Sequence, residues 1–235
     1  MSEALDKVRG VRELPIFPLP LVLFPGVPLP LHIFEERYRR MLLDVRASND
    51  LFGLSYFDPN SVEDERPPVG HVGCATEVIE AQPMPDGRSN ILTLGRVRYR
   101  VTEYAERVEP YLVALVEFFE DEPDNQPQVL RKRAEDVTEM FMRIARAMRT
   151  AGDERGALPE LPSDDPERLS FLVAAVVEMD AESKQRLLEI RSTSERLRRL
   201  YALLAQAVSS YEGRARTHEV ARGNGHAGKK IDFEE

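Results

Sequence analysis

A single cysteine in 235 residues, Cys74, leaves no room for an internal disulfide or a multi-cysteine zinc site. The opening MSEALDKVRG has no apolar core of the kind a secretory signal needs. The most apolar stretch, residues 14–34, is interrupted by Pro15, Pro18, Pro20, Pro25, Pro28 and Pro30. A membrane span needs about 20 apolar residues in helical form, which those prolines forbid. The sequence therefore predicts a soluble cytoplasmic protein with no membrane partner. Positive charge is also scarce: 32 Lys+Arg stand against 41 Asp+Glu, a net of −9. A general nucleic-acid binder carries the opposite balance, so nucleic acid is not the expected partner. His32, His71, His218 and His226 are scattered, without metal-ligand spacing, and neither a metal nor a cofactor is expected.

The charge that is present is unevenly placed. Residues 1–128 hold 13 Lys+Arg and 22 Asp+Glu, a net of −9, while residues 129–235 hold 19 of each. Only Pro159, Pro162 and Pro166 of the 17 prolines fall after residue 128. The first half is punctuated like a β domain and the second like helices. The expected organisation is an N-terminal extension (1–12), a strand domain (13–122), a linker (123–128), a helical bundle (129–211) and a disordered tail (212–235).

Short strands are expected at 51–57, within 69–81, at 91–101 and at 111–119, with a turn at Pro85-Asp86-Gly87. A further short strand, 21–24, is expected before the Pro25-Gly26 turn. In 91–101 the side chains alternate, Val97, Tyr99 and Val101 on one face and Arg96, Arg98 and Arg100 on the other. Strands at this spacing predict a small, closed or nearly closed β-barrel. One helix, 35–47, interrupts them with an apolar stripe of Tyr38, Met41, Leu42 and Val45. In the second half Leu130, Ala134, Val137, Phe141, Ile144 and Met148 keep a helical period. Asp165-Pro166, Asp180 and Ser192-Thr-Ser-Glu195 are helix starts, the last leading into Leu197, Leu200, Leu204, Val208 and Tyr211.

The segment from Leu14 to Met41, LPIFPLPLVLFPGVPLPLHIFEERYRRM, resembles the opening of the Lon (protease La) N-terminal substrate-binding domain in its stand-alone bacterial form. Gly70-His-Val-Gly73, Asp86-Gly-Arg88 leading into Gly95-Arg-Val-Arg-Tyr-Arg-Val101, and Pro110-Tyr-Leu-Val-Ala114 follow in the family's order. Asp165-Pro-Glu-Arg-Leu169, Lys184-Gln-Arg-Leu-Leu188 and Ser194-Glu-Arg-Leu197 extend the likeness over roughly residues 13 to 211. The resemblance implies an α+β fold, a PUA-like small β-barrel followed by a C-terminal helical bundle, that recognises polypeptide substrates or partners. A full Lon protease continues into an ATPase and a serine–lysine peptidase. This sequence has no G-x-x-x-x-G-K-[ST] phosphate loop, and 235 residues leave no room for the motor. Ser183 and Lys184 are adjacent on a helix and point apart, which disqualifies them as a nucleophile–base dyad. No catalytic residue is expected, and the role anticipated is a non-enzymatic recognition module, an adaptor in protein quality control.

Two surfaces are candidates for binding. Phe34, Tyr38, Tyr56, Phe57 and Tyr99 are large residues near element ends that can hold an unfolded or extended polypeptide in an apolar groove. The alternative is an RNA- or small-molecule-binding barrel that uses Arg96, Arg98 and Arg100. The plainer reading of that stripe is a solvated strand face paired with acidic neighbours such as Glu77 or Glu117. The paired carboxylates Glu35-Glu36, Asp64-Glu65, Asp121-Glu122 and Asp164-Asp165 read as capping and solvation.

Overall fold

The computed structural model describes residues 2–59, 66–152 and 160–224. It divides into two compact units, Met1–Pro123 with Ser170–Thr193, and Asp124–Leu169 with Ser194–Glu235.

The described residues of the first unit form six strands: β1 (Glu13–Leu19), β2 (Pro28–Ile33), β3 (Leu51–Tyr56), β4 (Val72–Pro83), β5 (Ser89–Tyr104) and β6 (Leu112–Phe119). Their order is β2-β5-β4-β3-β1-β6, with β6 also paired to β5. The long β5 makes this possible: residues 89–94 pair with β2 and residues 98–104 with β6, while β4 runs along its other side. β1, β3, β4, β5 and β6 are thus each paired to two others in a cycle, and β2 ends the order. Among the described residues the only parallel pairing is that of β1 with β3.

The prolines of the first thirty residues find places that tolerate them. β1 pairs through residues 13–16 with β6 and through residues 16–19 with β3, so Pro15 and Pro18 each remove a donor from one ladder only. β2 is an edge strand, where Pro28 and Pro30 are allowed. The strand expected at 21–24 is a loop instead: these residues pair with no described strand and lead into a turn in which the Val27 amide donates to the Phe24 carbonyl at 3.2 Å. Its apolar character is used all the same, with Leu23 and Phe24 buried.

Among the described residues, four helices belong wholly or mainly to this unit. α1 (Glu3–Lys7) is capped by Ser2, whose hydroxyl accepts from the Leu5 amide at 3.2 Å. It lies within the expected extension. α2 (Glu36–Arg46) buries the anticipated stripe of Tyr38, Met41, Leu42 and Val45. That stripe joins Phe17, Phe52, Leu54, Val78 and Ile91 in one core cluster; Leu14, Ile16, Leu51, Val97, Tyr99, Val101 and Ala114 make a second. α4 (Pro166–Val176) contains the boundary between the units and opens on the Asp165 carboxylate, which accepts from the Arg168 amide at 2.9 Å. α5 (Ala181–Glu189) is capped by Asp180, which accepts from the Ser183 amide at 2.7 Å, and it packs on β4.

The second unit contains α3 (Pro127–Gly152) and α6 (Thr193–Asn224). α3 begins at a proline, which fits a first helical position. It buries Ala134, Val137, Phe141, Ile144 and Ala147. Met148, expected to end the stripe, is exposed, because a step of three from Ile144 places Ala147 on the inner face. α6 buries Leu197, Leu200, Leu204 and Val208. Its backbone stays helical to Asn224, through the first part of the expected tail. Helical hydrogen bonding needs no apolar stripe, and residues 212–222 include a single glycine. Residues 225–235 of that tail lie outside the described residues.

Candidate functional site

The five aromatic residues expected to line a groove do not share a surface. Tyr38 and Tyr99 are core side chains, which corrects the expectation that they meet a ligand. The Tyr38 ring lies 4.1 Å from that of Phe17, and the Arg37 guanidinium sits 4.5 Å over it. Tyr99 is fully buried and lies against two glycines: a Cβ at Gly53 or Gly73 would stand 2.6 or 2.4 Å from its hydroxyl oxygen. That hydroxyl is 2.7 Å from Ser55 Oγ, and burial pushes its pKa far above the ordinary tyrosine value. Tyr56 and Phe57, at the end of β3, are half-buried. Burial, then the carboxylates of Asp58, Glu182 and Asp180, raise the Tyr56 pKa. Phe34 is exposed, stacked on His32 with ring centroids 6.1 Å apart and planes at 21°.

The arginine stripe is divided among three environments. Arg96 pairs with Glu77 at 2.5 Å, and Lys7 reaches the same carboxylate at 2.5 Å. Burial would raise the Glu77 pKa, but the hydrogen bonds from Lys7 and Arg96 outweigh it and hold the group below its ordinary value. Arg98 is buried rather than solvated. Its Nη1 donates to the carbonyls of Leu188 at 3.0 Å and Ile190 at 2.6 Å, and its Nη2 donates to Asp121. Arg100 is exposed beside the ring of Phe119, 5.7 Å from its centroid. The three guanidinium groups offer no continuous face to a phosphate backbone.

One surface that presents apolar area to solvent is the end of the sheet built by β2 and the first half of β5. The Gly95 amide donates to the Val27 carbonyl at 3.0 Å, which fixes the phase of the ladder. Alternation from that point makes Leu29, Leu31 and Ile33 the residues whose amides face β5. Pro28, Pro30 and His32 turn their backbone nitrogens toward the free edge, and two of those three nitrogens carry no hydrogen. Leu29 and Leu31 pack on the core cluster with Ile91. The opposite face carries Pro28, Pro30 and His32 beside Leu92 and Asn90. Leu92 is 36% exposed and Phe34 59%. Ile33 pairs with Ser89 and Ser89 with Pro83, so Phe34 and Met84, each the next residue along, sit at the same end of the sheet. Met84 is also 36% exposed. His32 Nδ1 is 2.7 Å from Asn90 Oδ1, which fixes the ring against which Phe34 stacks.

Only Phe34 of this group was among the expected site residues. The signal for the others is the alternation of proline with leucine in Pro28-Leu-Pro-Leu-His32, which marks an edge strand whose outer face is not polar.

Among the described residues no cluster of three or more His, Cys, Asp or Glu can hold a metal ion. Cys74 is buried, and burial pushes its thiol pKa up to about 12, so it stays protonated at neutral pH. No described helix is long and apolar enough to cross a membrane.

Comparison with known proteins places these features in context. Residues 13–206 match the ATP-dependent protease La (LON) substrate-binding domain. Lon protease 1 of Thermus thermophilus is 30% identical over 204 residues, covering 85% of this chain and 25% of the relative. Lon protease 2 of Herpetosiphon aurantiacus is 26% identical over 215 residues, covering 89% of this chain and 26% of the relative. The chain thus spans about a quarter of the length of these relatives. Among solved structures, the N-terminal domain of Mycobacterium avium complex Lon protease superposes with a TM-score of 0.61 at 17% identity, covering 83% of this chain and 98% of that one. The Lon N-terminal domain protein from Xanthomonas campestris gives 0.58 at 21% identity, covering 82% and 98%.

Proposed function

The chain belongs to the LON substrate-binding domain family, and from that premise we propose that it is a non-enzymatic module recognising unfolded or extended polypeptide. The observation that carries this reading is the apolar end of the β2–β5 sheet, where Phe34, Leu92 and Met84 stand exposed beside Pro28 and Pro30. An exposed apolar group of this kind gains about 25 cal/mol for each Å² it removes from water, and a partner with apolar side chains supplies the cover.

The edge of β2 limits how that partner binds. Addition of a peptide strand relies on a row of backbone donors and acceptors, and Pro28 and Pro30 remove two donors from this row. Recognition therefore goes through side chains, which suits a module that meets many sequences. Of the residues expected from sequence, Phe34 belongs to this surface, while Tyr56 and Phe57 lie on another strand end. The cycle of five strands is read as the PUA-like barrel, and the protein as a cytoplasmic adaptor in protein quality control.

The test is fluorescence-anisotropy titration of a labelled, permanently unfolded polypeptide against the full chain. Phe34→Ser with Leu92→Thr is expected to weaken binding roughly tenfold, about 1.4 kcal/mol, while the melting temperature stays unchanged. Unchanged affinity in that variant removes this surface from the account.

A further inference from the structure

We propose that Arg100 and Arg191, held against the ring of Phe119, form a clamp for a carboxylate of a bound polypeptide. The inference rests on the recognition reading above and names a second chemical feature that the polypeptide would carry.

Three cations surround this half-buried ring. Arg98 lies 4.7 Å from its centroid, Arg191 5.5 Å and Arg100 5.7 Å. Each is placed by the fold: Arg98 opposes Phe119 across the β5–β6 ladder, and Arg100 follows two residues later on the same face. Arg191 follows the end of α5, where its carbonyl accepts from the Glu122 amide at 2.8 Å. The charges are answered unequally. Arg98 is buried and bound to Asp121. Arg191 is exposed, and its Nε comes no closer than 3.6 Å to Glu122. Arg100 is exposed, and among the described residues no carboxylate lies within 4 Å of it. Glu117 stands opposite Arg100 in the ladder without closing that distance.

A guanidinium held near an aromatic ring keeps its N–H fork available in its own plane. Either fork matches the two oxygens of a carboxylate, and both stand beside the same ring. A nucleic acid fits less well, because this unit carries the acidic half of the chain and its field opposes a polyanion. One carboxylate on an otherwise apolar peptide meets far less of that opposition.

The experiment uses the full chain and two labelled 20-residue peptides of identical apolar content, one with two glutamates and the other with glutamines in their place. The glutamate peptide is expected to bind about three- to fivefold more tightly at low salt, and the preference should fade as salt is raised. Arg100→Gln with Arg191→Gln should abolish the preference and leave the glutamine peptide's affinity unchanged. Equal binding of the two peptides by the unaltered protein overturns the clamp and leaves the recognition reading standing. Failure of both peptides to bind overturns the recognition reading and the clamp with it. Tighter binding of a 20-nucleotide oligouridylate than of the glutamate peptide overturns the clamp in favour of RNA.

Discussion

Arg98 and Asp121 form a buried ion pair that ties the 170–193 segment to the strands of its own unit. Arg98 donates to carbonyls at the C-terminal end of α5, where the helix dipole favours a cation. Asp121 accepts from Arg98 through one oxygen and from the Thr193 hydroxyl through the other. The rings of Phe119 and Phe171 close over the guanidinium at 4.7 and 5.2 Å.

Removing one member of such a pair strands the other in a dry site. Arg98→Ala is expected to destabilise the protein by about 3–5 kcal/mol in urea denaturation. Arg100→Ala, two residues along and exposed, should stay within about 0.5 kcal/mol of the unaltered protein. Equal effects from the two changes would contradict the assignment of Arg98 to the core.

Tyr99 supplies a second stability test. Its ring fills the space that side chains at Gly53 and Gly73 would need, and a Cβ at Gly73 would also stand 2.6 Å from the Leu54 carbonyl oxygen. Because that neighbour is backbone, it has little freedom to yield. Gly73→Ala is expected to cost about 1–3 kcal/mol through overpacking. Pairing it with Tyr99→Leu should recover part of the loss, a non-additivity that a double-mutant cycle measures.

Stability should also fall with pH in two stages. His71 Nε2 is buried without a hydrogen bond, and burial holds the ring's pKa below 6.5 although Glu189 pulls the other way. The unfolded chain therefore binds a proton more readily than the folded one. The stability contributed by neutral His71 is complete above about pH 6.5 and is lost as pH falls toward the folded value. Glu77, held below 4.5 by its cations, and Glu195, brought to about 2 by Arg198 and Arg199, withdraw their contributions only at lower pH. Urea titrations from about pH 2 to pH 8 should show the first stage disappear in His71→Gln, with the acid stage retained.

Periodicity made much of this molecule legible in its sequence. The alternation through Val97, Tyr99 and Val101 put all three on a buried face, and the stripes of α2 and α6 followed the helical period. β1 escaped notice because Pro15 and Pro18 mask its alternation, and only the pairing with β6 at one end and β3 at the other explains why they fit. Arg98 could not be placed, since alternation assigns a face but does not say what covers it. The cover comes from Leu188 and Ile190, some ninety residues further along. Tyr38 and Tyr99 illustrate the same limit: a large aromatic near the end of an element looks alike in sequence whether it faces solvent or two glycines. The apolar end of β2 and β5 needed register to be seen, because Pro30 and Leu92 become neighbours only through the ladder.

The central claim is that the exposed end of β2 and β5 recognises unfolded polypeptide, and titration of the labelled unfolded chain against Phe34→Ser/Leu92→Thr addresses it most directly. The account predicts roughly tenfold weaker binding with the melting temperature and far-ultraviolet circular dichroism unchanged. Binding at the affinity of the unaltered protein would contradict it.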